Sequence, residues 1–108
     1  MSAGIEPRRW ILVRSGPLSV EEAGVLREVV REAREIEREV VEVLTGTAAY
    51  DAERSASAPT VPDVPCWVLE ADRSGRGLRL PPGALGRTVT YPELVEALMS
   101  AEKVVQLS

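Results

Sequence analysis

The chain predicts an α/β protein built on a mainly parallel five-stranded sheet with helices on both faces, a three-layer α/β/α arrangement. Three observations lead there. Short continuous apolar runs alternate along the sequence with amphipathic stretches, as in successive βαβ units. Two of those stretches open with a capping box, the signal that marks a helix start. Right-handed crossovers between parallel strands need intervening segments of the kind found here.

Trp10-Ile11-Leu12-Val13 is the first strand, an uninterrupted apolar run stopped by Arg14-Ser15-Gly16-Pro17, as suits a strand buried on both faces. Ser19 and Glu22 form a capping box, and Val20, Ala23, Leu26, Val30 and Ala33 recur at helical spacing. The pattern predicts one helix over about 20–38, with Glu28 to Arg31 and Glu35 to Arg38 as exposed pairs three apart. Val40-Val41-Glu42-Val43-Leu44 is the second strand, ended by Thr45-Gly46-Thr47, and a short helical segment is expected over 48–52.

From 55 to 65 prolines at 59, 62 and 65 leave no periodicity and forbid a continuous helix, so this stretch reads as a surface connection. Cys66 to Leu69 is the third strand and 71–76 a short helix interrupted by Gly75. Pro81-Pro82-Gly83 is a turn, and Arg87-Thr88-Val89-Thr90 is a weak fourth strand. Thr90 and Glu93 bracket Tyr91 and Pro92 as a second capping box with proline in the first turn, and the apolar face expected of that helix is Leu94, Val95, Leu98 and Met99. A fifth strand follows over 103–107. The expectation is one small domain over 1–108, with the 55–65 connection on its surface.

Composition excludes several function classes. The chain has 108 residues and no histidine, so imidazole base catalysis and histidine metal ligation are absent. One cysteine makes no internal disulfide, and a zinc site lacks its ligands. No cofactor is implied. A net charge of −4 supplies no excess of cations for a phosphate backbone, which argues against direct nucleic-acid binding. The apolar run after the amino end is too short for a signal peptide or a membrane span, so a cytoplasmic protein is the expectation. The absence of asparagine and the preference for arginine fit either a GC-rich genome or a heat-adapted source.

Ligands of parallel sheets bind at the carboxyl ends of the strands. Those ends place Arg14, Ser15, Thr45, Gly46, Leu69, Glu70 and Tyr91 as the candidate pocket or interface, although arginine, serine and glycine after strands are also ordinary turn residues. Gly75-Arg76-Gly77 and Gly83 complete no phosphate-binding loop. Glu21 with Glu22 complements a helix dipole, Glu70 with Asp72 is a further acidic pair, and no nucleophile is seen with a base. No catalytic residue is assigned. Cys66, at the start of a strand between Pro65 and Trp67, reads more readily as a small buried hydrophobe than as a reactive thiol.

Val13-Arg14-Ser15 with Pro17, a strand followed by Gly46 and Ala48-Ala49, Trp67 to Asp72 with Arg76-Gly77-Leu78, and the tail Val89-Thr90-Tyr91, Leu94-Val95 and Lys103 to Gln106 follow one another in that order. Together these matches make the chain similar to the TusB/DsrH branch of the DsrE/DsrF/DsrH sulfur-relay group. The resemblance implies the DsrE/DsrF/DsrH-like fold. In sulfur-carrying members a reactive cysteine closes the third strand, and this chain carries Leu69 there. Some members carry a cysteine in the first helix, where this chain has Glu21, Glu22 and Ala23. The first helix and the 55–65 connection are also longer than the pattern.

The resemblance therefore implies a noncatalytic subunit, homo- or hetero-oligomeric, with DsrE/TusD-like and DsrF/TusC-like partners. It would serve tRNA 2-thiolation or dissimilatory sulfur metabolism. A stand-alone sulfurtransferase using Cys66, or a self-associating binding module without a relay role, are the alternatives.

Overall fold

The computed structural model describes residues 8–50, 64–78 and 86–107. Strands β1 (Arg9–Arg14), β2 (Glu39–Leu44), β3 (Cys66–Leu69), β4 (Gly86–Val89) and β5 (Lys103–Gln106) form one sheet in the order β4-β3-β2-β1-β5. Every neighbouring pair is parallel. Helices α1 (Val20–Glu35), α2 (Glu70–Arg76) and α3 (Tyr91–Ser100) lie between strands, and a 3-10 segment (Gly46–Tyr50) follows β2. The architecture is the predicted α/β/α sandwich.

The strand order explains the layers. From β1 to β4 the chain steps one way across the sheet, and β5 then returns to the far side of β1. Crossovers of one hand place helices on one face while the chain steps one way and on the other face when it reverses. The core obeys this division. Trp10, Leu12 and Val40 pack with Leu26, Val30 and Ala33 of α1, and beside them Leu44, Cys66 and Val68 pack with Ala48, Ala49 and Leu78. On the opposite face Ile11, Val41, Val43, Trp67 and Val89 pack with Leu94 and Ala97 of α3. Alternate residues of each strand thus serve opposite helical layers.

Both capping boxes form. The Ser19 hydroxyl accepts from the Glu22 amide, and the Glu22 carboxylate accepts from the Ser19 amide. Thr90 and Glu93 do the same for α3. Helix α1 ends at Glu35, short of the expected 38. Its last turn closes in a Schellman motif, in which the Glu37 amide donates to the Arg34 carbonyl and the Arg38 amide to the Ala33 carbonyl. That motif needs a left-handed residue, and Glu37 adopts φ +59°.

Other differences have local causes. Val20 is 88% exposed because it precedes the stretch of α1 that reaches the sheet, and Met99, expected on the apolar face of α3, is 83% exposed. The helical segment after β2 is a 3-10 turn that begins two residues earlier than expected. Helix α2 begins at Glu70, and β4 spans Gly86–Val89 because Thr90 is spent as the α3 cap. Glu35 bonds back to Arg31, while Arg38 leaves the helix and reaches Glu102. Of the 55–65 connection, Val64 and Pro65 are described: Val64 is buried and the Pro65 carbonyl accepts from the Glu42 amide. The Pro81-Pro82-Gly83 turn and the rest of the connection lie outside the described residues.

Candidate functional site

The carboxyl ends of β1 and β2 are joined by hydrogen bonds. The Arg14 carbonyl accepts from the Thr45 amide at 3.0 Å and the Thr45 hydroxyl at 3.4 Å. The Ser15 carbonyl accepts from the Thr47 hydroxyl at 3.2 Å and the Ala48 amide at 3.3 Å. Gly46 sits between them at φ +54°, and a Cβ there would stand 3.2 Å from the Ser15 carbonyl oxygen. Both the left-handed backbone and the close approach require glycine. The Gly46 amide donates to the Asp72 carboxylate at 3.3 Å, which ties the loop after β2 to α2.

Arg14 turns inward from this loop cluster. It is 3% exposed, and its Nε donates to Glu42 Oε2 at 3.3 Å while Nη1 donates to the Gly16 carbonyl at 3.2 Å. Register places Glu42 level with Leu12 on one side and Cys66 on the other, so the ion pair crosses diagonally from the end of β1. The Cys66 thiol, 4% exposed, lies 3.6 Å from Glu42 Oε1 and donates to it. A carboxylate neighbour is the reverse of the cation or helix amino end that activates a thiolate. Arginine, glutamate and cysteine thus make one buried polar cluster between the two apolar groups on the α1 face.

Leu69 is the last residue of β3 and the N-cap of α2, in extended conformation and without a side-chain cap. Its half-buried side chain packs with the α3-face cluster, on the opposite side of the sheet from Arg14 and Cys66. Glu70 is exposed in the first turn of α2. Tyr91, 70% exposed, shares the outer flank of α3 with Pro92, Val95 and Met99.

The structure therefore brings Arg14, Ser15, Thr45 and Gly46 together, and separates Leu69 and Tyr91 from them by face. Sequence reasoning missed Glu42 and the role of Cys66 as its neighbour, and it read Asp72 as an acidic partner of Glu70 without the tie to Gly46. Glu42 carried a visible signal, a lone acid inside an apolar strand, which asks for a buried cation. Asp72 carried none, because a carboxylate in the first turn of a helix is already explained by the helix dipole.

The arrangement offers hydrogen-bonding loops and a buried ion pair, with no exposed nucleophile beside a base among the described residues. Among the described residues no three histidine, cysteine or acidic side chains cluster so as to hold a metal. No helix among them is long and apolar enough to cross a membrane.

No protein-family model matches the chain, and no curated protein is significantly similar to it. Among solved structures the fold is similar to the crystal structure of the ychN protein from E. coli. The TM-score is 0.67 at 20% sequence identity, over 92% of this chain and 98% of that one. The chain thus shares its fold with ychN, a five-stranded parallel sheet with the topology of the DsrE/DsrF/DsrH type.

Proposed function

We propose that the chain is a noncatalytic subunit, resembling TusB/DsrH, that supports persulfide sulfur relay in the cytoplasm with DsrE/TusD-like and DsrF/TusC-like partners. The observation that supports this reading most is the β3-to-α2 junction. In the resemblance it is the station of the sulfur-carrying cysteine, and here Leu69 occupies it, capping α2 with its backbone alone. The one cysteine of the chain lies three residues earlier, buried beside Glu42. That environment argues against a stand-alone sulfurtransferase working through Cys66, since transfer needs a thiolate with access to a partner thiol. On this reading Arg14, Ser15, Thr45, Gly46, Glu70 and Tyr91 shape a surface for partner subunits. The outlet is tRNA 2-thiolation or dissimilatory sulfur metabolism.

The test is reconstitution. The chain should copurify with DsrE/TusD-like and DsrF/TusC-like chains, and Cys66→Ala should leave persulfide transfer by the assembled complex unchanged. Loss of transfer in a well-folded Cys66→Ala complex would overturn the noncatalytic assignment. In parallel, timed alkylation read by mass spectrometry should find that the thiol of Leu69→Cys labels much faster than Cys66, because position 69 is partly open and Cys66 is not. Adding Glu70→Gln should speed that labelling further, since an acid beside the thiol opposes thiolate formation. An inert thiol at 69 beside a reactive Cys66 would remove the main support for the reading.

A further inference from the structure

The three helices are fastened to the sheet in different ways. Helix α1 buries Leu26, Val30 and Ala33 and α3 buries Leu94 and Ala97, whereas none of the 7 residues of α2 is buried and its one alanine, Ala71, is exposed. A helix this short does not hold itself together in water. Its apolar anchor lies just past its end. Gly77 closes α2 at φ +63°, the Leu78 amide donates to the Arg73 carbonyl at 2.9 Å, and Leu78 is buried with Ala48 and Ala49 in the cluster that covers Leu44, Cys66 and Val68.

What holds the helix itself is polar. One Asp72 oxygen accepts from the Gly46 amide at 3.3 Å, and the other forms an ion pair with Arg76 Nε at 3.5 Å. The Arg76 guanidinium stands over the Tyr50 ring, 5.4 Å from its centroid. Helix α2 thus grips the 46–50 segment at both ends. That segment is a fixed catch, since Ala48 and Ala49 are buried and the Ser15 carbonyl accepts from the Thr47 hydroxyl and the Ala48 amide. Each contact of the grip is modest, because Asp72 and Arg76 are 22% and 31% exposed at the side chain and water screens them.

We infer that α2 is a latched flap: Asp72 and Arg76 hold it to the 46–50 segment, and its release lifts Leu78 from the cluster and uncovers the Cys66 thiol while the sheet stays folded. Segments with few buried apolar contacts open locally, at a free energy well below that of global unfolding. The Arg76-Gly77-Leu78 run then has one part each for its three residues, the latch, the helix stop and the anchor. Cys66 is the one thiol of the chain and is 4% exposed with the flap closed, so access to it is gated by α2. The inference goes beyond the relay reading and does not rest on it, because it involves no partner chain.

Timed alkylation of Cys66 by iodoacetamide in the full chain, read by mass spectrometry over a urea series, tests it. Labelling through the flap should be slow and flat in urea below the unfolding transition, because a small opening exposes little surface, and should steepen only where the chain unfolds globally. Arg76→Met should raise the flat rate roughly fivefold, through loss of the stacked guanidinium and its ion pair, and Asp72→Ala roughly tenfold, through loss of the amide acceptor as well. Leu98→Ala, at a partly buried site on the opposite face, should lower the urea midpoint and leave the flat rate unchanged. A rate that climbs with urea from the start overturns the flap, since Cys66 is then reached only by global unfolding. So do latch variants that label at the wild-type rate, or a Leu98→Ala chain whose flat rate rises as much as theirs.

Discussion

The two ends of the sheet use the same residue types in opposite settings. At the amino end Glu102, in the turn before β5, accepts from the Trp10 indole at 2.9 Å, Arg38 at 2.7 Å and Arg8 at 3.0 Å. These groups are partly in water, with Arg8 68% and Glu102 29% exposed at the side chain. Toward the carboxyl end Arg14 and Glu42 are 4% and 10% exposed. The backbone repeats the contrast. Glu37 and Gly46 both hold a left-handed φ, +59° and +54°, but Glu37 stands in solvent at the end of α1 and Gly46 lies against a carbonyl. The amino end tolerates imperfect residues because water screens and fills. The carboxyl end is restricted because nothing there can relax.

The largest expected effect is at the buried pair. Glu42→Leu strands the Arg14 guanidinium among apolar side chains and should cost about 3–5 kcal/mol in chemical denaturation. The double variant Arg14→Met with Glu42→Leu should recover most of that loss, since two apolar groups replace a desolvated pair. A double variant as unstable as the single would show that Arg14 matters through its bond to Gly16 and not through its charge.

Next is Gly46→Ala, which adds a Cβ at 3.2 Å from the Ser15 oxygen on a left-handed backbone, for a loss of about 1–3 kcal/mol. The mirror experiment is Glu37→Gly, which relieves the same backbone strain in open solvent and should raise stability by about 0.5–1 kcal/mol. Equal and opposite results at the two positions would mean that conformation alone sets both. A larger loss at Gly46 isolates the contribution of packing.

The smallest effect at neutral pH concerns Glu102. The Trp10 indole N–H, then the Arg38 guanidinium, hold its carboxyl at about 2, below its ordinary value of 4.5. The folded state therefore prefers the ionised form. The stabilisation is full above pH 4.5 and is lost as the pH falls through about 2. Glu102→Gln should flatten the acid limb of the stability profile between those values. At neutral pH the change should be small, as exposed pairs are. An unchanged acid limb would place the acid sensitivity elsewhere, with Glu93, whose carboxyl the Thr90 cap and Arg87 hold below its ordinary value, the next to examine.

Local structure was legible wherever neighbours in sequence are neighbours in space. The Ser19/Glu22 and Thr90/Glu93 boxes formed as their spacing implies, because each is closed within one helical turn. Glu28 found Arg31 for the same reason. Arg38 did not stay with Glu35, because α1 ends at Glu35 and the turn after it aims Arg38 at Glu102, 64 residues away in sequence. Of the candidate site, the loop residues Arg14, Ser15, Thr45 and Gly46 were placed together by the rule that parallel strands gather their carboxyl ends. Leu69 and Tyr91 obey the same rule in position, yet their side chains belong to the other face.

By itself, then, the order of residues determined the element types, the parallel sheet and the caps, since periodicity and turn chemistry act over a few residues. Only the tertiary structure decided that Glu42 would meet both Arg14 and Cys66, that Asp72 would hold the Gly46 loop, and that Tyr91 and Met99 of α3 would stand exposed. Those outcomes depend on strand register and on which face each crossover takes, and register is settled when distant strands pair and one-residue slips would turn every side chain to the wrong side.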